Sequence, residues 1–135
     1  SYEQAMVQRI AEAQARPRWL TLTACTRRTA DVVEVAVETR VSAPRPASEQ
    51  VGVFAALAER EVDTAVPRGE NAGRRLTEYA VVRALAGPVG RDESLQLRLV
   101  APAGLNEAGS EVVVFAQDLG SRAIVAVTRA AGCAG

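Results

Sequence analysis

The feature that most constrains this chain is a change of apolar period at Pro17. Before it, Tyr2, Met6, Ile10 and Ala13 recur at helical spacings. That spacing stacks them on one face. Glu3, Gln4, Gln8, Arg9 and Glu12 lie off the stripe. Ser1 suits an N-cap, and Pro17 stops the element. The pattern predicts an amphipathic helix over 2–16. After Pro17 the period becomes two. Leu20, Leu22 and Ala24 alternate with Thr21, Thr23 and Cys25, and Val33, Val35, Val37 and Val41 alternate with Glu34, Ala36, Glu38 and Arg40. One face of such strands needs a core and the other needs water.

The rest of the chain keeps that period. A turn is expected at Arg27–Ala30, and a loop over 42–50 with Pro44 and Pro46 as breakers. Val51, Val53, Ala55 and Leu57 begin a third strand, which Glu59 and Arg60 are expected to turn. Val62, Thr64 and Val66 return as a fourth, and 67–77 is irregular. The stretch 78–87 admits a short helix or a strand, with Val81-Val82-Arg83 and Gly87-Pro88 favouring the strand. Leu95, Leu97 and Leu99 make another strand. A loop spans 102–110. A closing pair over 112–117 and 123–128 turns at Asp118-Leu119-Gly120-Ser121. Strands follow strands without crossover helices. The fold expected is mainly β: an antiparallel β-sandwich of seven to eight strands with one N-terminal α-helix.

That helix needs a partner for its apolar face. It either covers one sheet or belongs to a neighbouring domain. The expected division is 1–17 as a helix ending another domain, and 18–135 as the β-sandwich domain.

Composition removes several chemistries. All 16 cations are Arg, and there is no Lys and no His. No Ser-His-Asp or Cys-His catalysis, imidazole metal site, P-loop or lysine Schiff base can be built. Sixteen Arg are interspersed with 16 acids, which leaves no basic face for nucleic acid. No apolar run approaches the ~18 residues of a membrane span, and no signal-peptide pattern is visible. The reading is therefore a non-enzyme without cofactor or metal. The two cysteines, Cys25 and Cys133, form no Cys-x-x-Cys. Two alternatives stand: a long-range disulfide, or a strand thiol and a tail thiol that never meet.

One segment stands out from the Ala/Val background. Pro67-Arg68-Gly69-Glu70-Asn71-Ala72-Gly73-Arg74-Arg75-Leu76 holds two Gly, an Asn and three Arg. Guanidinium forks and backbone N–H groups would suit an anion or a partner. The plainer reading is a connection between sheets clasped by Arg–Glu and Arg–carbonyl bonds. Other candidates are weaker. Glu59, Glu61 and Asp63 share a strand face by parity, which more often means a solvated edge than a cation or acid–base site. Trp19 reads as an anchor at the helix–sandwich junction.

Arg68-Gly69-Glu70-Asn71-Ala72-Gly73-Arg74, then Leu76, then Val81-Val82-Arg83, resembles the C-terminal half of an uncharacterised family of secreted bacterial thioredoxin-like proteins, domain of unknown function 1223. The similarity extends weakly to 2–17, to Ala101-Pro102-Ala103-Gly104-Leu105 and to the closing strand pair. It implies a parent with a thioredoxin-like domain first and a β-sandwich second, which would account for the helix. It also implies a periplasmic or secreted location. The family's Cys-x-x-Cys would lie upstream. The His expected after Leu76 is replaced by Glu78, so any role of that His is not carried over.

The function expected is a non-catalytic accessory or binding β-sandwich of such a parent. Its partner would be the upstream thioredoxin-like domain, and sheet edges or the helix face would allow a homodimer. The alternative is a self-contained scaffold or adhesion-type module using the Arg68–Arg75 loop. Candidate binding residues are Arg68, Glu70, Asn71, Arg74, Glu78 and Arg83.

Overall fold

The structure, a computed structural model, describes residues 19–42, 50–60, 80–90 and 92–134. The helix expected over 2–16 and the strand expected over 62–66 lie outside the described residues. Eight strands are found among those described: β1 (Leu20–Thr29), β2 (Val32–Val41), β3 (Val51–Arg60), β4 (Ala80–Gly90), β5 (Ser94–Val100), β6 (Ser110–Asp118), β7 (Ile124–Arg129) and β8 (Ala131–Gly132). A 3-10 turn, Glu107–Gly109, precedes β6.

They form two four-stranded sheets. Sheet 1 has the order β5-β2-β1-β8, and sheet 2 has the order β4-β3-β6-β7. The inner faces meet in one core. Leu20, Leu22, Val35, Val37, Leu97 and Leu99 from sheet 1 pack with Val53, Leu57, Val114 and Ala126 from sheet 2. The period-two alternation of β1, β2 and β5 makes this possible, because every second residue points inward.

Several expectations need correction. The pairing is not wholly antiparallel, because β1 and β8 run parallel, with Cys25 beside Ala131 and Thr26 beside Gly132. Arg27, Arg28 and Thr29 are strand residues paired with β2, so the turn narrows to Ala30-Asp31. Ala30 carries it with φ 55. Glu59 and Arg60 do not turn β3; they pair with Val81 and Ala80 of β4. Cross-strand hydrogen bonding along β3 outweighed the charged pair as a break signal. The ambiguous stretch is a strand from Ala80 onward.

β4 is bulged against β3 at two points, and its Gly87-Pro88 bond is cis. Gly87 has φ +108, and a Cβ there would sit 2.5 Å from the Val53 carbonyl oxygen. Only glycine fits that approach. The β6–β7 hairpin falls where expected. Asp118 shapes it: its Oδ1 accepts the Gly120 N–H at 2.8 Å, and its carbonyl accepts the Arg122 N–H at 2.7 Å.

Candidate functional site

Of the residues singled out in the sequence, Arg68, Glu70, Asn71, Arg74 and Glu78 lie outside the described residues. Arg83 is described. It stands at a bulge of β4, with its Nε 3.9 Å from Glu59 Oε2. That carboxylate oxygen also accepts the Asn106 N–H at 3.2 Å. Glu59 therefore ties the end of β3 to the loop before β6 and faces Arg83 of β4. Such a group positions backbone, and its partners among the described residues are a backbone N–H and a guanidinium rather than a second acid or a nucleophile. Glu61 and Asp63, its expected partners in a carboxylate row, lie outside the described residues.

A shallow cleft of about 350 Å³ opens at the β1–β2 turn. Arg28, Asp31 and Glu107 supply its charges, and the 101–105 loop forms its other wall. Arg28 Nη1 pairs with Glu107 Oε1 at 2.6 Å, and Arg28 Nε donates to the Ala30 carbonyl at 2.9 Å. The Asp31 carbonyl accepts the Ala101 N–H at 2.7 Å. Gly104, at φ +81, turns the loop back. Arg28 is thus held by an acid and a carbonyl within the chain. This cleft was not read from the sequence, which placed Arg28 in a turn. The only signal was the family-like Ala101–Leu105 stretch, and it said nothing of charge.

The two cysteines meet. Cys25 on β1 and Cys133, one residue past β8, form a disulfide with Cα atoms 4.8 Å apart and 108 positions between them in sequence. Trp19 is half-buried against the core, and its carbonyl accepts the Ser42 N–H at 2.7 Å; the helix that it is expected to anchor lies outside the described residues. Phe54 and Phe115, 61 positions apart in sequence, stack with ring centroids 5.0 Å apart. Both lie on the outward face of sheet 2, within a cluster that includes Ala56, Val113, Ile124 and Val127.

Among the described residues, no group of three or more His, Cys, Asp or Glu could hold a metal ion. No helix among them is long and apolar enough to cross a membrane. What the arrangement offers chemically is a disulfide, a charged cleft and two sheets with different outer faces.

No curated protein matches the chain in sequence. Among solved structures, the fold is similar to the crystal structure of a domain of the outer membrane lipoprotein Omp28 from Porphyromonas gingivalis. That likeness has 13% identity and a TM-score of 0.56, and it covers 87% of this chain and 90% of that one. At this identity the likeness concerns the fold. The model of a family described as "Protein of unknown function (DUF1223)" matches residues 1–117. The chain belongs to the DUF1223 family of proteins of unknown function.

Proposed function

We propose that this chain is a non-catalytic accessory or binding β-domain of a protein exported from the cytoplasm, working beside a thioredoxin-like domain of the same parent. The observation that carries the compartment is the Cys25–Cys133 disulfide. Disulfides of this structural kind form and persist in oxidising compartments and are rare where thiol reductants are abundant. One solved fold neighbour is a domain of an outer membrane lipoprotein, which agrees with an envelope location.

The non-catalytic assignment rests on composition and geometry together. The chain has no His or Lys. Its two cysteines are joined to each other between β1 and the residue after β8, within sheet 1, rather than set in a Cys-x-x-Cys turn. Arg28 and Glu59, the best-placed charged groups, are engaged with the chain's own atoms. The thioredoxin-like partner is proposed from the family-like segment 68–83.

Two assays test this reading. Cell fractionation should place the full-length protein in the envelope or the medium. The purified chain should show no insulin reduction above background with dithiothreitol as the electron source. Turnover that depends on Cys25, or a cytosolic location, would overturn it. A pull-down between the chain and the thioredoxin-like region of its own parent, with loss on Arg74→Ala, would favour the Arg68–Arg75 loop as the contact.

A further inference from the structure

Cys25 shares its strand face with Thr21 and Thr23, which are exposed, whereas Leu20 and Leu22 point into the core. The disulfide therefore stands on the outward, polar side of sheet 1, and both of its residues are only half-buried. What it holds is small. β8 touches β1 at two residue pairs. The Cys133 N–H donates to the Thr26 carbonyl at 3.0 Å, and Arg27 Nη2 donates to the Ala134 carbonyl at 3.2 Å. Ala131, Gly132 and Ala134 are exposed and place no side chain in the core. One residue earlier the situation differs: Ala130 packs on the core, and its N–H donates to the Val112 carbonyl at 2.9 Å. Anchorage by the core thus ends at Ala130.

We propose that the Cys25–Cys133 disulfide is a site of thiol–disulfide exchange, and that residues 131–134 form a latch it holds against the edge of β1. The co-reactant is a dithiol. One of its thiolates attacks a sulfur of the Cys25–Cys133 bond, forming a mixed disulfide and releasing the other cysteine. Its second thiol then attacks the mixed disulfide and releases the remaining cysteine. The dithiol ends as a disulfide. The protein gains two electrons and two protons, carried as two thiols. Two residue pairs of parallel strand are too little to hold β8 alone. Its release frees the backbone groups that β1 shares with it at Cys25 and Thr26 and leaves β1 as the edge strand of sheet 1. This goes beyond the function proposed above and stands on the geometry of this chain alone.

The test uses the whole chain and dithiothreitol without denaturant. Alkylation and mass spectrometry follow the thiols, and hydrogen exchange follows the backbone. Both cysteines should become alkylated while the far-UV circular dichroism stays unchanged. Protection at Ala131–Cys133 should fall at least about tenfold, with Leu95–Leu99 and Val112–Ala116 still protected. The Cys25→Ser/Cys133→Ser double variant should fold and show the same local loss without reductant. The proposal fails if the disulfide resists reduction until denaturant is added. It also fails if reduction, or the double variant, removes protection from all strands together.

Discussion

The two sheets share a core but turn opposite surfaces outward. Sheet 1 shows water Thr21 and Thr23 from β1, Glu34 and Glu38 from β2, and Gln96 and Arg98 from β5. Glu34 and Arg98 stand directly opposite each other and pair at 3.6 Å. Sheet 2 turns outward Ala56, Val113, Phe115, Ile124 and Val127, and none of these is more than 8% exposed. Phe115 is only 1% exposed although it does not face sheet 1. Sheet 1 thus has one apolar face, and sheet 2 has two. Apolar transfer stabilises sheet 2 on both sides, at about 25 cal/mol per Å² removed from water. For sheet 1 it acts on one side only.

This contrast can be broken most sharply by a misplaced charge. Val113→Asp should destabilise the fold by several kcal/mol, because the carboxylate would be buried without a partner. Gln96→Asp, on the outward face of sheet 1, should stay within about 0.5 kcal/mol. Urea denaturation of both variants reads the difference directly. Equal effects would mean that the two outer faces are energetically alike.

Removing apolar bulk comes next. Phe115→Ala deletes a buried ring and its stack on Phe54, and should cost about 3–5 kcal/mol. Thr23→Ala on sheet 1 should cost less than about 0.5 kcal/mol by the same measurement. A smaller effect is expected where the sheets are joined at their ends. Glu59→Ala removes the acceptor of the Asn106 N–H and should cost about 1 kcal/mol. The smallest belongs to the cleft. Arg28 and Glu107 are 37% and 64% exposed, so Glu107→Ala should shift stability by no more than about 1 kcal/mol, and less at high salt. A larger loss there would show that the cleft is a structural clasp.

The same contrast explains what could be read from the sequence. β2 and β5 were legible because their polar residues mark the outward face at every second position. β3 reads Val-Gly-Val-Phe-Ala-Ala-Leu-Ala and β6 reads Val-Val-Val-Phe-Ala. Runs apolar at every position mark a strand but not which face meets which partner. The pairing of Phe54 with Phe115 was invisible for that reason. β8 was illegible because Ala131 and Gly132 carry no pattern, and their parallel partner lies more than 100 residues away, as the disulfide separation of 108 shows. The disulfide itself stayed open, because spacing alone cannot bring two Cα atoms to bonding range. The turn at Ala30-Asp31 was misplaced by the run of Arg and Thr before it. Those residues sit on strand because β2 supplies their hydrogen-bond partners, a tertiary effect that propensity does not contain. For the candidate site, Glu59 was singled out as one of a carboxylate row, whereas its described contacts tie it to Asn106 and Arg83.

The claim that joins fold to function is that this sandwich lives oxidised, outside the cytoplasm. Its most direct test is the thiol state of Cys25 and Cys133 in intact cells, fixed by acid quench and read by alkylation and mass spectrometry. The expected result is Cys25 and Cys133 joined, and so unalkylated, in most of the protein recovered from the envelope or the medium. Two alkylated cysteines in protein recovered from the cytosol would contradict the account.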